Sequence, residues 1–299
     1  MSILVVGSVA LDSIRTPFGE VEEILGGSAT YFSVAASFFS PVRLVAVVGD
    51  DFPSEHVDFL RSRGVDTRGL RTVKGSTFRW RGYYTYDLNE AHTLETQLNV
   101  FEDFDPDIPE EYRDSEYVFL ANIDPELQLK VLEQVRSPRL VVCDTMNFWI
   151  ENKREALLET VSRVGWLLLN DAEARQLAGD PNLISAGRKL LGMGPERVIV
   201  KKGEHGVIML AEEVFFSLPA YPLETVFDPT GAGDSFGGGL LGSLSRFPEP
   251  GEEEIRKAVV YGSVVASFAV EDFSCRRLRT LTSEEIERRY RDFSAITCF

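Results

Sequence analysis

The sequence predicts an α/β protein built on a mostly parallel sheet covered by helices on both faces, with a small β lid. Two observations carry the sheet. Short β-branched apolar runs recur along the chain, and segments of helical period separate them. Apolar strands joined through helices mean crossover connections, and strands buried on both faces lose the alternation of a half-exposed sheet. The third observation is a β-rich stretch that interrupts this rhythm and predicts the lid.

In chain order, Ile3–Val6 is the first strand, followed by a helix over Ala29–Phe39, a strand over Val42–Val48 and a helix over Ser54–Arg63. Arg71–Phe101 then reads as a hairpin or small sheet: Thr77–Arg81 alternates, Tyr83–Tyr86 is aromatic, Asp87–Glu90 is a polar turn and Glu95–Phe101 alternates again. Such an excursion is either a plain edge hairpin or a lid over an active site. Strands at Tyr117–Ala121, Leu140–Cys143, Trp166–Asn170 and Val198–Lys201 alternate with helices at Pro125–Arg136, Glu155–Val164 and Leu183–Leu191. Thr282–Arg291 is a charged amphipathic helix with a solvated face. No repeat or low-complexity linker divides the chain, so one domain over 1–299 is expected, with the lid inserted at 71–101. Ligands of such sheets bind beyond the carboxyl ends of the strands.

A net charge of −16 argues against a general nucleic-acid binder, which would carry a basic stripe. Cys143, Cys275 and Cys298 have no metal-ligand spacing and read as reduced thiols. No basic region precedes Ile3–Val6 and no apolar run approaches the roughly 20 residues of a membrane span, so a cytoplasmic protein is expected, with no membrane partner.

The most informative stretch is Asp228-Pro229-Thr230-Gly231-Ala232-Gly233-Asp234, followed by Gly237-Gly238-Gly239. It places a carboxylate in the first turn of a helix, behind small residues whose backbone N–H groups can converge on an anion. A base for an acceptor hydroxyl beside a phosphate cradle is the equipment of a phosphotransferase. The alternative is a glycine-rich packing seam with Asp234 as a helix cap. Glycines at 237, 238, 239 and 242 would each cost a helix about 1 kcal/mol, so a ligand or a neighbouring element must approach this backbone closely. Gly233–Gly237 also fits a nucleophile elbow, but no histidine follows it. Gly237–Gly242 matches a dinucleotide fingerprint only in letters, since it lies within a helix.

The Asp228–Asp234 stretch resembles the signature of the ribokinase-like, or PfkB-type, carbohydrate kinases, and other landmarks follow in the family's order over most of the chain. The resemblance implies a three-layer α/β/α ribokinase-like domain. It implies Asp234 as catalytic base and Gly231, Ala232 and Gly233 as the anion hole. Gly26-Gly27 would sit beneath the acceptor, with Ser28 or Thr30 taking over a contact that the family makes through an Asn. Asp12 would accept hydrogen bonds from two vicinal hydroxyls. Gly49-Asp50-Asp51 matches a further landmark. Asn170 and Glu173 share a helix face and match the family's N-x-x-E, with Glu173 reaching Mg²⁺ through water; unaided, the pair reads as a helix cap. Lys201, Gly203 and Gly206 resemble the nucleotide loop, with Lys201 in place of the usual Thr; unaided, they read as a strand-to-strand turn. Asp144 and Asn147 are candidates for a supporting role near the phosphates. The cofactors implied are ATP and Mg²⁺, with a monovalent cation such as K⁺ near Asp228 and Thr230, and a homodimer through the lid.

The expected function is transfer of phosphate from ATP to a hydroxyl of a sugar-like molecule. The alternatives are a nucleoside kinase, with lid aromatics Phe78, Trp80, Tyr83, Tyr84 and Tyr86 either stacking on a base or packing the lid, and a non-catalytic sugar or nucleotide sensor. Asp234, at a helix N-terminus, is expected to be ionised at neutral pH.

Overall fold

A computed structural model describes residues 1–298. The strands are β1 (Ile3–Val6), β2 (Ala10–Thr16), β3 (Gly19–Gly26), β4 (Val42–Gly49), β5 (Val65–Val73), β6 (Arg79–Tyr83), β7 (His92–Gln97), β8 (Tyr117–Leu120), β9 (Leu140–Asp144), β10 (Trp166–Asn170), β11 (Arg197–Lys201), β12 (Val207–Leu210) and β13 (Phe215–Leu218). The helices are α1 (Ser28–Ala36), α2 (Ser54–Ser62), α3 (Pro125–Gln134), α4 (Asn147–Asn152), α5 (Arg154–Ser162), α6 (Asp171–Ala178), α7 (Leu183–Leu191), α8 (Ala232–Leu244), α9 (Glu252–Ala269), α10 (Arg276–Thr280) and α11 (Ser283–Thr297).

Nine strands form the main sheet, in the order β13-β12-β11-β10-β9-β8-β1-β4-β5. From β11 to β5 every neighbouring pair is parallel, and β12 and β13 finish one edge antiparallel. Successive residues of β1 enter opposite layers. Ile3 and Val5 pack with Phe32 of α1, Leu240 of α8, Val265 of α9 and Phe293 of α11. Leu4 and Val6 pack with Val131 of α3, Leu157 of α5, Leu177 of α6 and Leu190 of α7. Each such side chain contributes about 1.5–3 kcal/mol on burial, so a sheet with two apolar faces holds both helical layers. The expected α/β/α sandwich is what forms. The chain leaves β1 toward β4 and returns on its other side at β8, which makes β1 a switch point with a crevice at its carboxyl end.

The lid is a second sheet of four strands, in the order β3-β2-β6-β7. It therefore draws two strands from residues 10–26, ahead of the 71–101 excursion, and β2 pairs parallel with β6. Arg71–Val73 belong to β5 of the main sheet, and β7 ends at Gln97, where Asn99–Phe101 forms a single 3₁₀ turn. The β5 edge and the β3 strand were not anticipated: β3 is mostly exposed and polar, and β5 buries only the alternate small residues Val65, Thr67 and Gly69 in its first half.

The glycines of α8 resolve the choice between ligand and neighbour at that helix. A methyl group at Gly238 would overlap the carbonyl of Phe32 in α1, and one at Gly239 would meet the Tyr261 carbonyl of α9 at 2.9 Å. Neighbouring helices make the close approach, so the packing seam is real. It begins one turn after Asp234.

Candidate active site

The carboxyl ends of β9, β10 and β11 place Asp144, Asn170 and Lys201 side by side, with Asn170 in register with Lys201. Lys201 Nζ donates to both oxygens of Asp144, at 3.1 and 3.0 Å. Burial works against the Lys201 charge, but Asp144, Glu173 and Asp234 outweigh it and hold the ammonium above its ordinary range. Asn170 caps α6 through a reciprocal box: its Oδ1 accepts from Glu173 N–H at 2.8 Å, and Glu173 Oε2 accepts from Asn170 N–H at 2.7 Å. Burial, helped by Asp144 and opposed by Lys201, pushes the Glu173 carboxyl up to about 7. The capping expected from spacing alone is thus present, and Glu173 keeps one oxygen that accepts no hydrogen bond among the described residues. Asn147 stands exposed at the start of α4, with no hydrogen bond to this cluster among the described residues.

Gly231 is the N-cap of α8 and takes φ 74, a left-handed conformation that favours glycine. Ala232 N–H turns inward to the Pro229 carbonyl at 3.1 Å, whereas the N–H groups of Gly231 and Gly233 have no acceptor in the described residues. These amides lie at the positive end of the helix, where the expected cradle for an anion would need them. A methyl group at Gly233 would lie 2.9 Å from Lys201 Nζ, so the ammonium flanks the cradle directly. Asp234 follows in the first turn, half-buried. Burial, then Asp144, raise its carboxyl to about 8 against the opposing pull of Lys201. This corrects the expectation of an ionised group: desolvation and like charge outweigh the helix dipole here.

The residues expected on the acceptor side lie on β2, at the start of α1 and in the loop before α8. Asp12 lies in β2, 4% exposed, and burial followed by the Asp228 charge raises it to about 7, offset partly by a hydrogen bond from Gly27 N–H. A side chain at Gly26 would overlap the Asp12 carboxylate, and Gly27 caps α1 at φ 95. Ser28 and Thr30 are both buried in the first turn of α1. The Ser28 and Ser8 hydroxyls each accept the other's backbone N–H, at 3.3 and 3.0 Å respectively, and so close the turn. Thr30 is fully buried, its hydroxyl without a partner.

Tyr31 is the residue that sequence reasoning missed. Its ring lies against Gly231, where any side chain would overlap it, and its buried hydroxyl has no hydrogen-bond partner. Burial and the neighbouring Asp228 and Asp12 keep that phenol protonated. Asp228 is fully buried and accepts from the N–H groups of Thr230, at 2.9 Å, and Ser274, at 3.2 Å. Of the lid aromatics, Tyr84 meets the loop before α8, its hydroxyl 3.3 Å from Thr230 Oγ1, and Trp80 lies in register with Asp12 across β2 and β6. Phe78 stacks on Phe101, Tyr83 stacks on His92, Trp80 donates to Thr93, and Tyr86 is exposed. Gly49-Asp50-Asp51 serves the lid's root: Asp51 accepts from Thr77 N–H at 2.7 Å and from Arg79 at 2.8 Å. Gly203 and Gly206, both at positive φ, bound a one-turn link between antiparallel β11 and β12.

A profile of the pfkB family of carbohydrate kinases matches residues 2–281. The chain belongs to that family. It is an ATP-dependent kinase that phosphorylates an alcohol group. Among its relatives, the cytidine kinase of Thermococcus kodakarensis is 33% identical over 261 residues, covering 86% of this chain and 92% of that protein. The crystal structure of aminoimidazole riboside kinase from Salmonella enterica, complexed with aminoimidazole riboside and an ATP analogue, superposes with a TM-score of 0.78 at 19% identity, covering 97% of this chain and 100% of that one. An E. coli candidate ribokinase II in complex with ATP and Mg²⁺ gives a TM-score of 0.80 at 18% identity, covering 97% and 99%. No helix among the described residues is long and apolar enough to cross a membrane.

Proposed function

We propose that this kinase is a ribonucleoside kinase with cytidine as its first acceptor, in place of the free sugar that the motifs alone suggested. The 33% identity to a cytidine kinase over most of both chains carries this reading. The acceptor side is compatible with it: a ribose keeps its 2′- and 3′-hydroxyls free for Asp12 above the Gly26-Gly27 turn, and its 5′-hydroxyl for Asp234.

In this mechanism the ionised form of Asp234, a minority at neutral pH in the free protein, takes the proton of the acceptor hydroxyl as the phosphoryl group leaves its donor. Gly231 and Gly233 N–H groups receive the equatorial oxygens, with Ala232 shaping the turn, and Lys201 places a cation beside them. Such fixed donors stabilise developing charge without reorganisation. Gly203 and Gly206 let the loop after β11 approach the nucleotide. Magnesium supplies positive charge on the donor phosphates, and the free oxygen of Glu173, oriented by the cap with Asn170, suits a magnesium-bound water. A buried carboxyl without a cationic partner at Asp228 likewise fits a monovalent cation beside Thr230. The free edges β3 and β7 offer the lid surface for a homodimer.

The test is ADP release from Mg·ATP over a panel of cytidine, uridine, adenosine, inosine, ribose, fructose and myo-inositol, in K⁺ and in tetramethylammonium. Cytidine is expected to lead the panel. Turnover confined to the free sugars or the cyclitol would overturn the nucleoside assignment. Ligand-induced stabilisation without turnover would turn the protein into a sensor.

A further inference from the structure

The turn Tyr84–Glu90 joins β6 to β7 and touches both sides of the active site. At its root, Tyr84 N–H donates to the Arg15 carbonyl at 2.9 Å, and the Tyr84 hydroxyl meets Thr230 just ahead of the anion hole. At its tip, Asn89 Oδ1 lies directly against Gly203, where any side chain would overlap it. Asp87 sets that orientation. Its Oδ1 accepts from both the backbone N–H and the Nδ2 of Asn89, each at 3.1 Å, which leaves the carboxamide oxygen turned toward Gly203. Lid packing does not account for this tip, since Tyr86 is 88% exposed and Asp87, Asn89 and Glu90 are all exposed. Gly203 meanwhile holds φ 52 at the first position of the loop.

We propose that Asn89 is a further residue of the nucleotide site, delivered by the lid, so that nucleotide binding and lid position are linked. The inference rests on the assignment of Lys201–Gly206 as the nucleotide loop. Asn89 packs on that loop in one conformation and favours it. A nucleotide that binds the same conformation is held more tightly when the lid is down, and by reciprocity it holds the lid down. Nucleotide exchange then requires the turn to lift.

The experiment pairs calorimetric titration of Mg·ADP with hydrogen exchange at short times across residues 84–97, on the wild type and on Asn89→Ala. No acceptor is needed. In the wild type, Mg·ADP is expected to slow exchange in the turn. Asn89→Ala is expected to lose that protection and to bind Mg·ADP about 5–10-fold more weakly, at the low end of the ordinary range of coupling between sites. Its melting temperature without ligand is expected to stay unchanged. Asp87→Ala should shift affinity in the same direction by less. Wild-type affinity and protection in Asn89→Ala would overturn the proposal, as would a wild type that binds Mg·ADP with no change in the turn. A wild type that gives no heat with Mg·ADP would remove the nucleotide-loop assignment first, and this inference with it.

Discussion

On the donor side of the cleft, Asp144 and Glu173 face Lys201, and the ammonium hydrogen-bonds both oxygens of Asp144. On the acceptor side, Asp12 and Asp228 face two phenols and a few backbone amides, with no basic side chain bonded to either among the described residues. The donor half is thus balanced in charge within the protein, ready for a polyanion that brings its own magnesium. On the acceptor half burial raises both carboxyls above their ordinary range, which suits a neutral ligand rich in hydroxyls.

Removing the base should have the largest effect. Asp234→Asn is expected to lower kcat by about 10²–10⁴, the usual span of general-base catalysis, while calorimetry shows Mg·ADP binding near wild type. Unchanged turnover would take Asp234 out of the base role. The balance on the donor side is tested by Lys201→Met, which leaves Asp144 buried and unpaired. A loss of stability of about 3–5 kcal/mol is expected in denaturant unfolding, together with a large fall in kcat. Adding Asp144→Asn should restore much of the stability and little of the activity; recovery of both would make the pair purely structural.

On the acceptor side, Asp12→Asn is expected to raise the acceptor KM about 10–100-fold through two weakened charge-assisted hydrogen bonds, with nucleotide affinity unmoved. The protonated carboxyls also predict a pH dependence of stability. Asp12 and Glu173 sit near 7 and Asp234 near 8, all above their ordinary values, so the folded chain holds protons that the unfolded chain has released. Stability without ligand should therefore fall as pH rises from about 5 to 8 and level off above. Groups held low, such as Asp180 and Glu285, act below that window. Thermal scans should show a drop of at least ~2–4 °C, the shift that about 1 kcal/mol gives a chain of this size. The Asp12→Asn/Asp234→Asn double variant should flatten the curve. The smallest effect belongs to Tyr31→Phe, which removes an unpartnered buried hydroxyl and should leave stability equal or raised by about 1 kcal/mol.

The sheet was legible wherever strands are buried on both faces, because runs such as Ile3–Val6 and Trp166–Asn170 leave no other economical burial. The lid's first two strands were not, since Gly19–Gly26 is acidic, exposed on an edge and irregular in period. At the site, the helix-start carboxylate and its glycines were visible in the spacing of 231–234. Tyr31 was not, because it lies within the apolar run of α1 and reads as core; its position one helical turn after Gly27 was the usable signal. The protonation of Asp234 was misjudged for a different reason. Local sequence reveals the helix end, but Asp144 and Asp12 arrive from strands far away in the chain, and only the assembled fold brings their charge to bear.

Asp12 sits on β2, and β2 is itself a strand of the small sheet, hydrogen-bonded to β6. On the reading proposed above, the hand that holds the acceptor and the roof above it are therefore one piece. A molecule that fails to engage this carboxylate has no handle by which to pull the roof shut, so recognition and enclosure succeed or fail together.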